Sequence, residues 1–185
     1  MTWFSWFKAA IFALLAINAV AYVVTGTVSE ALDSVAWFIL LALFEVETTR
    51  MDWACRQPTA AAMRFMRLGA TLAIGMAATG YLYDHAWLDA MNAWLWIGVV
   101  VLLEFEVRKP DAVRAHRAGF GAVATALYSG LIGVVATWLW QGEWFDAYDA
   151  LLWIIAFGAL EMNLLDIARS AATSNESAAE LRHKT

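Results

Sequence analysis

The chain has 185 residues, of which 62% are hydrophobic, and its formal net charge is −5. A soluble domain of this length is seldom so apolar. The basic residues flank apolar runs and form no separate basic patch, which argues against nucleic acid as a partner. The composition predicts an integral membrane protein whose surroundings are the lipid bilayer.

Six apolar runs follow one another along the chain, and the longer ones can cross a hydrocarbon core of about 30 Å. They cover residues 7–25, 34–49, 66–83, 91–107, 118–140 and 149–168. The second and fourth runs are short and cross only if the acidic residues at their inner ends are counted. Neither Pro58 nor Pro110 falls inside a run, so continuous helices are expected. The predicted fold class is all-α, a polytopic membrane protein with six transmembrane helices.

The basic residues predict the topology. All twelve Lys and Arg residues lie on one side under this assignment, whereas the three opposite connections carry acidic residues and neither Lys nor Arg. Short loops rich in Lys and Arg stay in the cytoplasm, so both termini are predicted to be cytoplasmic, in a multi-pass protein of the cell inner membrane. Cys55, the only cysteine, falls in a cytoplasmic connection, and no intrachain disulfide is expected.

An internal repeat of about 58 residues divides the chain into three predicted α-hairpins. Sliding the chain by this period superposes Glu45, Glu104 and Glu161; Asp33, Asn92 and Asp149; Trp37, Trp96 and Trp153; and Glu30, Asp89 and Asp146. The hairpins cover 1–57, 62–110 and 114–170, and a polar cytoplasmic tail covers 171–185. A pseudo-threefold bundle and a less symmetric packing both stay open.

Each repeat carries a glutamate near the inner end of its second helix: Glu45, Glu104 and Glu161. A carboxylate at membrane depth is costly against lipid, so these side chains are expected to face the bundle or a wet cavity. Three roles stay open, namely a structural anchor, a cation or proton site, and a contact with a partner subunit. Glu104 also has Arg108 one turn later, the spacing of an ion pair. Asn18, near the middle of the first helix, is either an interhelical hydrogen bond or a ligand.

A second acid stands two residues further on in the first two repeats. It points to nearly the opposite side of its helix, because residues i and i+2 differ by about 200°. We therefore interpret it as an interfacial partner for the basic residue three positions later. The predicted pairs are Glu47 with Arg50 and Glu106 with Lys109, and in the third repeat Asp166 with Arg169, where Asn163 replaces the second acid.

Two further patterns concern packing. Tryptophan and tyrosine side chains near the outer helix ends are expected to form an interfacial belt; they include Trp37, Trp87, Trp96, Trp138, Trp140, Trp144, Trp153 and Tyr81. Small residues crowd the third and fifth helices and are expected to form packing seams; among them are Gly69, Gly75, Gly119, Gly121, Gly130 and Gly133.

No catalytic or cofactor-binding constellation is visible, so no enzyme, metal site or cofactor is predicted. The leading hypothesis is a non-enzymatic protein in which Glu45, Glu104 and Glu161, with Asn18, serve the passage or binding of a cation or proton near the cytoplasmic side. The alternative is a non-catalytic accessory or scaffold subunit of a larger membrane complex. Its partners would then be other membrane proteins or further copies of the chain.

Overall fold

The computed structural model describes residues 3–49 and 57–158, which are helical almost throughout. The helices are α1 (Trp3–Thr25), α2 (Val28–Thr49), α3 (Gln57–Tyr83), α4 (Trp87–Arg108), α5 (Pro110–Ala115) and α6 (Arg117–Gln141). A further helix, α7, begins at residue 144 and is described as far as 158. Neither described range contains a strand. The all-α part of the predicted fold is therefore confirmed.

Three of these helices are long and apolar enough to cross a membrane. The segments are Trp6–Thr25 in α1, Trp87–Glu106 in α4 and Arg117–Gln141 in α6. Helices α2 and α3 have 22 and 27 residues, but acidic side chains in α2 and Arg64 and Arg67 in α3 lower their hydropathy. The described ranges are accordingly all-helical and contain three candidate membrane spans.

Local sequence explains where the helices begin and end. Thr27 and Glu30 form a capping box at the start of α2: the Glu30 N–H donates to Thr27 Oγ1 (3.2 Å), and the Thr27 N–H donates to Glu30 Oε2 (2.6 Å). Helices α3 and α6 are each followed, within two residues, by a residue in the left-handed region, His85 (φ 60°) and Gly142 (φ 87°). Such residues close the last helical turn and let the chain reverse within a few residues.

The two prolines stand in first helical turns, where the missing N–H costs no hydrogen bond. Pro58 is the second residue of α3, and Pro110 is the first of α5. Helix α5 has no buried residue. It occupies the connection between the second and third predicted hairpins, so the long helices run without an internal proline in the described ranges.

One hydrophobic core joins all six long helices. Its buried members include Leu15 of α1, Trp37 and Leu41 of α2, Ile74 of α3, Trp96 and Val99 of α4, Leu131 of α6 and Trp153 of α7. The ring of Trp37 lies 6.4 Å from that of Trp96 and 6.3 Å from that of Trp153, measured between centroids. These three tryptophans therefore meet at the centre of the bundle.

The expected aromatic belt is wrong for part of the set. Trp37, Trp96, Trp138, Trp153 and Tyr81 are buried in the bundle, whereas Trp87, Trp140 and Trp144 are exposed. The buried rings lie on the inward faces of their helices, and the exposed rings lie at or near helix ends. Depth along the chain alone cannot separate the two groups, because a belt ring and a core ring can stand at the same height.

The glycine seams also differ from expectation. A Cβ atom on Gly98 of α4 would meet Leu127 Cδ2 at 2.9 Å, and one on Gly130 of α6 would meet Leu95 Cδ2 at 3.0 Å. These two glycines therefore let α4 and α6 approach closely. At five of the predicted seam positions a Cβ would meet nothing within 4 Å in the described chain: Gly69, Gly75, Gly119, Gly121 and Gly133.

Candidate functional site

The first acids of the repeats do not share an environment. Glu45 of α2 forms an ion pair with Lys8 of α1, with 2.7 Å between Oε1 and Nζ, and about a fifth of each side chain is exposed (22% and 21%). Glu104 pairs with Arg108 on its own helix, as its spacing predicted, and its side chain is 56% exposed. Glu161 lies outside the described residues. A role for these three residues in ion passage stays a prediction.

The interfacial pairs are described only in part. The predicted pairs Glu47–Arg50 and Asp166–Arg169 lie outside the side chains that the structure describes. Glu106 and Lys109 are both exposed. The ion pairs found among described side chains are Lys8–Glu45, Arg108–Glu104 and Arg114–Asp111, and they do not include Glu106–Lys109.

A cavity of about 40 Å³ lies at the bundle end where α1, α3 and α6 finish and α2, α4 and α7 start. We call it the acidic pocket. Its lining residues are Tyr22, Glu30, Asp33, Ser34, Tyr81, Asp89, Asn92, Trp138, Asp146, Asp149 and Ala150. Five of them are carboxylic acids, and in the described chain no Lys, Arg or His belongs to the lining. The lining residues come from six helices, and the acids among them come from α2, α4 and α7. Acids such as Glu30 and Asp149, which are more than 100 residues apart in sequence, thus lie around one cavity.

Helix α1 is joined to α7 by two hydrogen bonds at this pocket, which we call the α1–α7 clasp. Asn18 Nδ2 donates to Asp149 Oδ1 (2.8 Å), and the Tyr22 hydroxyl donates to Asp146 Oδ1 (2.7 Å). The two donors stand four residues apart, on one face of α1. Of the two roles that the sequence left open for Asn18, the structure shows the interhelical hydrogen bond. It also places Asn18 against a carboxylate of the pocket.

Asp33 of α2 lies just outside an apolar run. Among the pocket acids outside the apolar runs, its carboxyl group has the most strongly raised pKa. Burial raises its pKa to about 7; hydrogen bonding by Trp37 and Tyr81 lowers the pKa, and the nearby charges of Asp149 and Asp89 raise it. Removal from water disfavours the charged form of a carboxylic acid, and like charges act in the same direction. The neutral and ionised forms of the Asp33 carboxyl group are therefore close in free energy near pH 7.

Asp146, at the start of α7, follows the same trend. Burial raises the pKa of its carboxyl, the hydrogen bond from Tyr22 lowers it, and the charges of Glu30 and Glu143 raise it. The acids of the pocket thus act on one another, since each is a like charge near the others.

Two oxygen atoms in the pocket residues are buried without a donor. They are Oδ1 of Asp33 and Oδ1 of Asn92. A buried acceptor that no group satisfies costs free energy, on the order of 1–3 kcal/mol. Most such groups in folded proteins have a protein or water partner. Both atoms therefore have acceptor capacity that no described side chain uses.

The electrostatics of the pocket favour protons or a bound positive charge. Five half-buried carboxylic acids line it without a cation among them, and like charges close together disfavour full ionisation. No three His, Cys, Asp or Glu side chains in the described ranges are arranged to hold a metal ion. The ligand atoms on offer are all oxygens, from carboxylates, hydroxyls and an amide.

The pocket acids occupy the positions that the internal repeat brings into register, yet the repeat alone predicted no functional role for them. Asp33, Asn92 and Asp149 each stand four residues before one of the central tryptophans, Trp37, Trp96 and Trp153. Position i and position i+4 share a helix face. Because the tryptophans face the core, the polar residues one turn earlier on the same face must also point inward. This spacing is the sequence signal from which the pocket could have been predicted.

Comparison with protein-family models, with curated proteins and with solved structures gives no match for this chain.

Proposed function

We propose that the protein is a multi-pass membrane protein that binds a cation or proton in the acidic pocket and passes it across the membrane. The observation that carries the proposal is the pocket itself: five carboxylic acids line one cavity without a basic residue among them. Acids buried together in a membrane protein typically mark an ion or proton pathway.

The proposed topology has six spans, with both termini in the cytoplasm. The acidic pocket stands at the end of the bundle where the connections carry no Lys or Arg, and Lys8, Arg64, Arg67, Arg108 and Arg117 stand toward the other end. This distribution agrees with the positive-inside rule and supports a pocket on the outer side. Helices α2, α3 and α7 would complete the six spans by packing their polar residues against neighbours.

The three-hairpin organisation is part of the same proposal. Two sets of positions that the repeat superposes lie together in space: the acids and Asn92 of the pocket, and the central cluster of Trp37, Trp96 and Trp153. A pseudo-threefold bundle would bring equivalent positions of each hairpin to a common axis. The meeting of these residues supports such an arrangement.

Passage would require the bundle to move. Between the pocket and the Lys8–Glu45 pair the interior is filled by apolar side chains, among them Leu15, Trp37 and Leu41. An ion or a chain of waters cannot cross this layer while it stays packed. The pocket would therefore load from the outer side, and Glu45, with Glu104 and Glu161, would take part at the inner side after the layer opens.

Flux through reconstituted liposomes tests the proposal. Purified protein is reconstituted with a pH-sensitive dye inside, and a cation or proton gradient is imposed. Asp33→Asn and Asp149→Asn are expected to lower flux by about tenfold or more, because each removes one titratable carboxyl group from the pocket. Asp111→Asn is the matched control, since Asp111 is exposed and pairs with Arg114 outside the pocket. Flux that is equal in all variants, or absent from the wild-type protein, would contradict the proposal.

The accessory-subunit alternative rests on a different observation. The long helices run without interruption in the described ranges, whereas many transporters bind their substrate where helices break. A subunit that only supports a larger complex has no need of such breaks. Purification in a mild detergent distinguishes the two functions: partners at fixed stoichiometry, together with no flux by the isolated protein, would favour the subunit.

A further inference from the structure

We propose that the positive ligand of the acidic pocket is a proton, carried by the Asp33 carboxyl group and directed at the amide oxygen of Asn92. This inference rests on the proposed function, because it names the ion for the same pocket. It also makes a claim of its own, since a proton can bind in the pocket whether or not it crosses the membrane.

The first step concerns Asp33. Its Oδ1 atom is buried and accepts no hydrogen bond in the described chain. Hydrogen bonds from Trp37 and Tyr81 favour the ionised carboxylate, but burial, the nearby like charges and the oxygen that lacks a donor favour the neutral acid. Protonation removes the charge and converts one acceptor oxygen into a donor.

The second step concerns Asn92. Its Oδ1 atom is also buried and also lacks a donor, and both residues line the same cavity. Two buried acceptors that share a cavity repel each other unless a donor stands between them. A proton on Asp33 supplies that donor, either directly or through one water molecule.

The third step separates Asp33 from the other acids. Asp149 and Asp146 already accept hydrogen bonds from Asn18 and Tyr22. Glu30 accepts the Thr27 N–H in the capping box of α2. Among the pocket acids of the described chain, only Asp33 has a buried oxygen atom without a donor, so the proton is expected on Asp33.

The charged and titratable groups that face Asp33 also favour a proton. They are Tyr22 of α1, Glu30 of α2, Tyr81 of α3, Asp89 of α4 and Asp146 and Asp149 of α7, while α6 contributes the neutral Trp138. All the acids among them become negative on ionisation. Each therefore favours the neutral state of Asp33.

The fourth step concerns metal ions. A cavity of about 40 Å³ has room for roughly three water molecules, at about 10–15 Å³ for each. Mg²⁺ keeps several waters of its own, and Ca²⁺ takes six to eight oxygen ligands. The described chain offers no group of three acids arranged around one point. The cavity therefore fits a proton and a few waters better than it fits a divalent cation.

Infrared difference spectroscopy of the purified protein in detergent tests the inference without any flux measurement. Lowering the pH from 9 to 5 should produce the C=O stretch of a protonated carboxylic acid in the wild-type protein. That band should lose intensity in Asp33→Asn, with the remainder coming from the other pocket acids, and should be unchanged in Asp84→Asn, a control in which the acid is exposed and accepts a hydrogen bond from Ser29. A band that persists unchanged in Asp33→Asn would overturn the assignment.

Asn92→Ala gives a second test that leaves the titrating group in place. If the Asn92 oxygen accepts from protonated Asp33, its removal destabilises the neutral acid, and the midpoint of the band should move to lower pH by about one unit, a tenfold loss of proton affinity. A midpoint that moves to higher pH would mean that the amide N–H stabilises the ionised form, and would overturn the role of Asn92.

The outcomes separate this inference from the proposed function. A pH-dependent band that needs Asp33, in a protein without flux, supports proton binding and contradicts passage. Flux of a metal cation without such a band, with Ca²⁺ or Na⁺ binding that is lost in Asp33→Asn, supports passage and overturns the proton.

Discussion

Asn18 and Tyr22 show how a single polar side chain can join two helices of this bundle. Both are buried among apolar neighbours on α1, and each reaches an acid at the start of α7. Hydrogen bonds between helices add modest stability in a membrane protein, but a donor removed from a buried acid leaves that acid unsatisfied. The α1–α7 clasp therefore holds the first and last described helices together.

Tyr22→Phe removes one bond of the clasp and keeps the ring, which also packs on Phe145 at 4.9 Å between centroids. We expect a loss of about 1–3 kcal/mol in the free energy of unfolding, because Asp146 loses a donor. Thermal unfolding in detergent measures the change. Thr125→Val is the control, since Thr125 is exposed and its hydroxyl bonds only to the Gly121 carbonyl. Equal unfolding temperatures for the wild type and Tyr22→Phe would contradict the prediction.

The sequence predicted some residue-level contacts and missed others for a geometric reason. Spacing along one helix identified the Glu104–Arg108 pair, because i and i+4 always share a face. Spacing could not identify the Lys8–Glu45 pair or the bond from Asn18 to Asp149, because those depend on how α1 is placed against other helices. Contacts within one helix can be predicted from sequence spacing, whereas contacts between helices can be predicted only when the packing of the helices is known.

Helices α4 and α6 approach through a reciprocal contact of glycine and leucine. Leu127 of α6 covers Gly98 of α4, and Leu95 of α4 covers Gly130 of α6. Small residues permit such an approach between membrane helices and gain van der Waals contact from it. Composition indicated that α6 is rich in glycine, but it could not show which glycines face a neighbour, because glycine occurs on several faces of the helix.

Replacing glycine by leucine distinguishes the two kinds of position. Gly98→Leu and Gly130→Leu are expected to cost about 1–3 kcal/mol, because the new side chain must displace the facing leucine. Gly133→Leu is the matched control on α6, since a Cβ there would meet nothing within 4 Å in the described chain. Thermal unfolding of the three variants in detergent gives the comparison. A loss at Gly133 as large as that at Gly130 would contradict the assigned contact face.

The whole bundle buries acids whose protonated forms it favours, and this affects how stability depends on pH. Asp33 has a pKa of about 7 in the folded chain against an ordinary value of 3.8. At pH values between these two pKa values, the folded state therefore holds a proton that the unfolded state has lost. Stability from this group is complete below about pH 4 and is lost as the pH rises through about 7, at about 1.4 kcal/mol for each pH unit.

The unfolding temperature in detergent is thus expected to fall between pH 5 and pH 8, and to change less in Asp33→Asn, which carries no titrating group at this position. Proteins stabilised by ionised carboxylates behave in the opposite way over the acidic part of this range. Unfolding curves at several pH values, recorded for both proteins in one detergent, measure the difference. A wild-type protein that gains stability as the pH rises from 5 to 8 would contradict the prediction.

At the scale of the molecule, composition and the length of the apolar runs were enough to predict helices and a membrane. The location of the site was not predictable in the same way. The glutamates stand inside apolar runs, where a charge is conspicuous, whereas Asp33 and Asp149 stand at the outer ends of such runs, where acids are ordinary in connecting loops. Only the packing of the six helices brings these helix ends together around one cavity.

The α1–α7 clasp also has a consequence for biosynthesis. Asn18 and Asp149 are separated by 131 residues, and a ribosome adds about 5–20 residues each second. Helix α1 must therefore wait roughly 7–26 s in the growing chain before its partner emerges. During that interval Asn18 and Tyr22 lack the acids that they bind in the folded protein, and the pocket has only part of its wall. The finished site can appear only when the last helix arrives, so no shorter nascent chain can carry it.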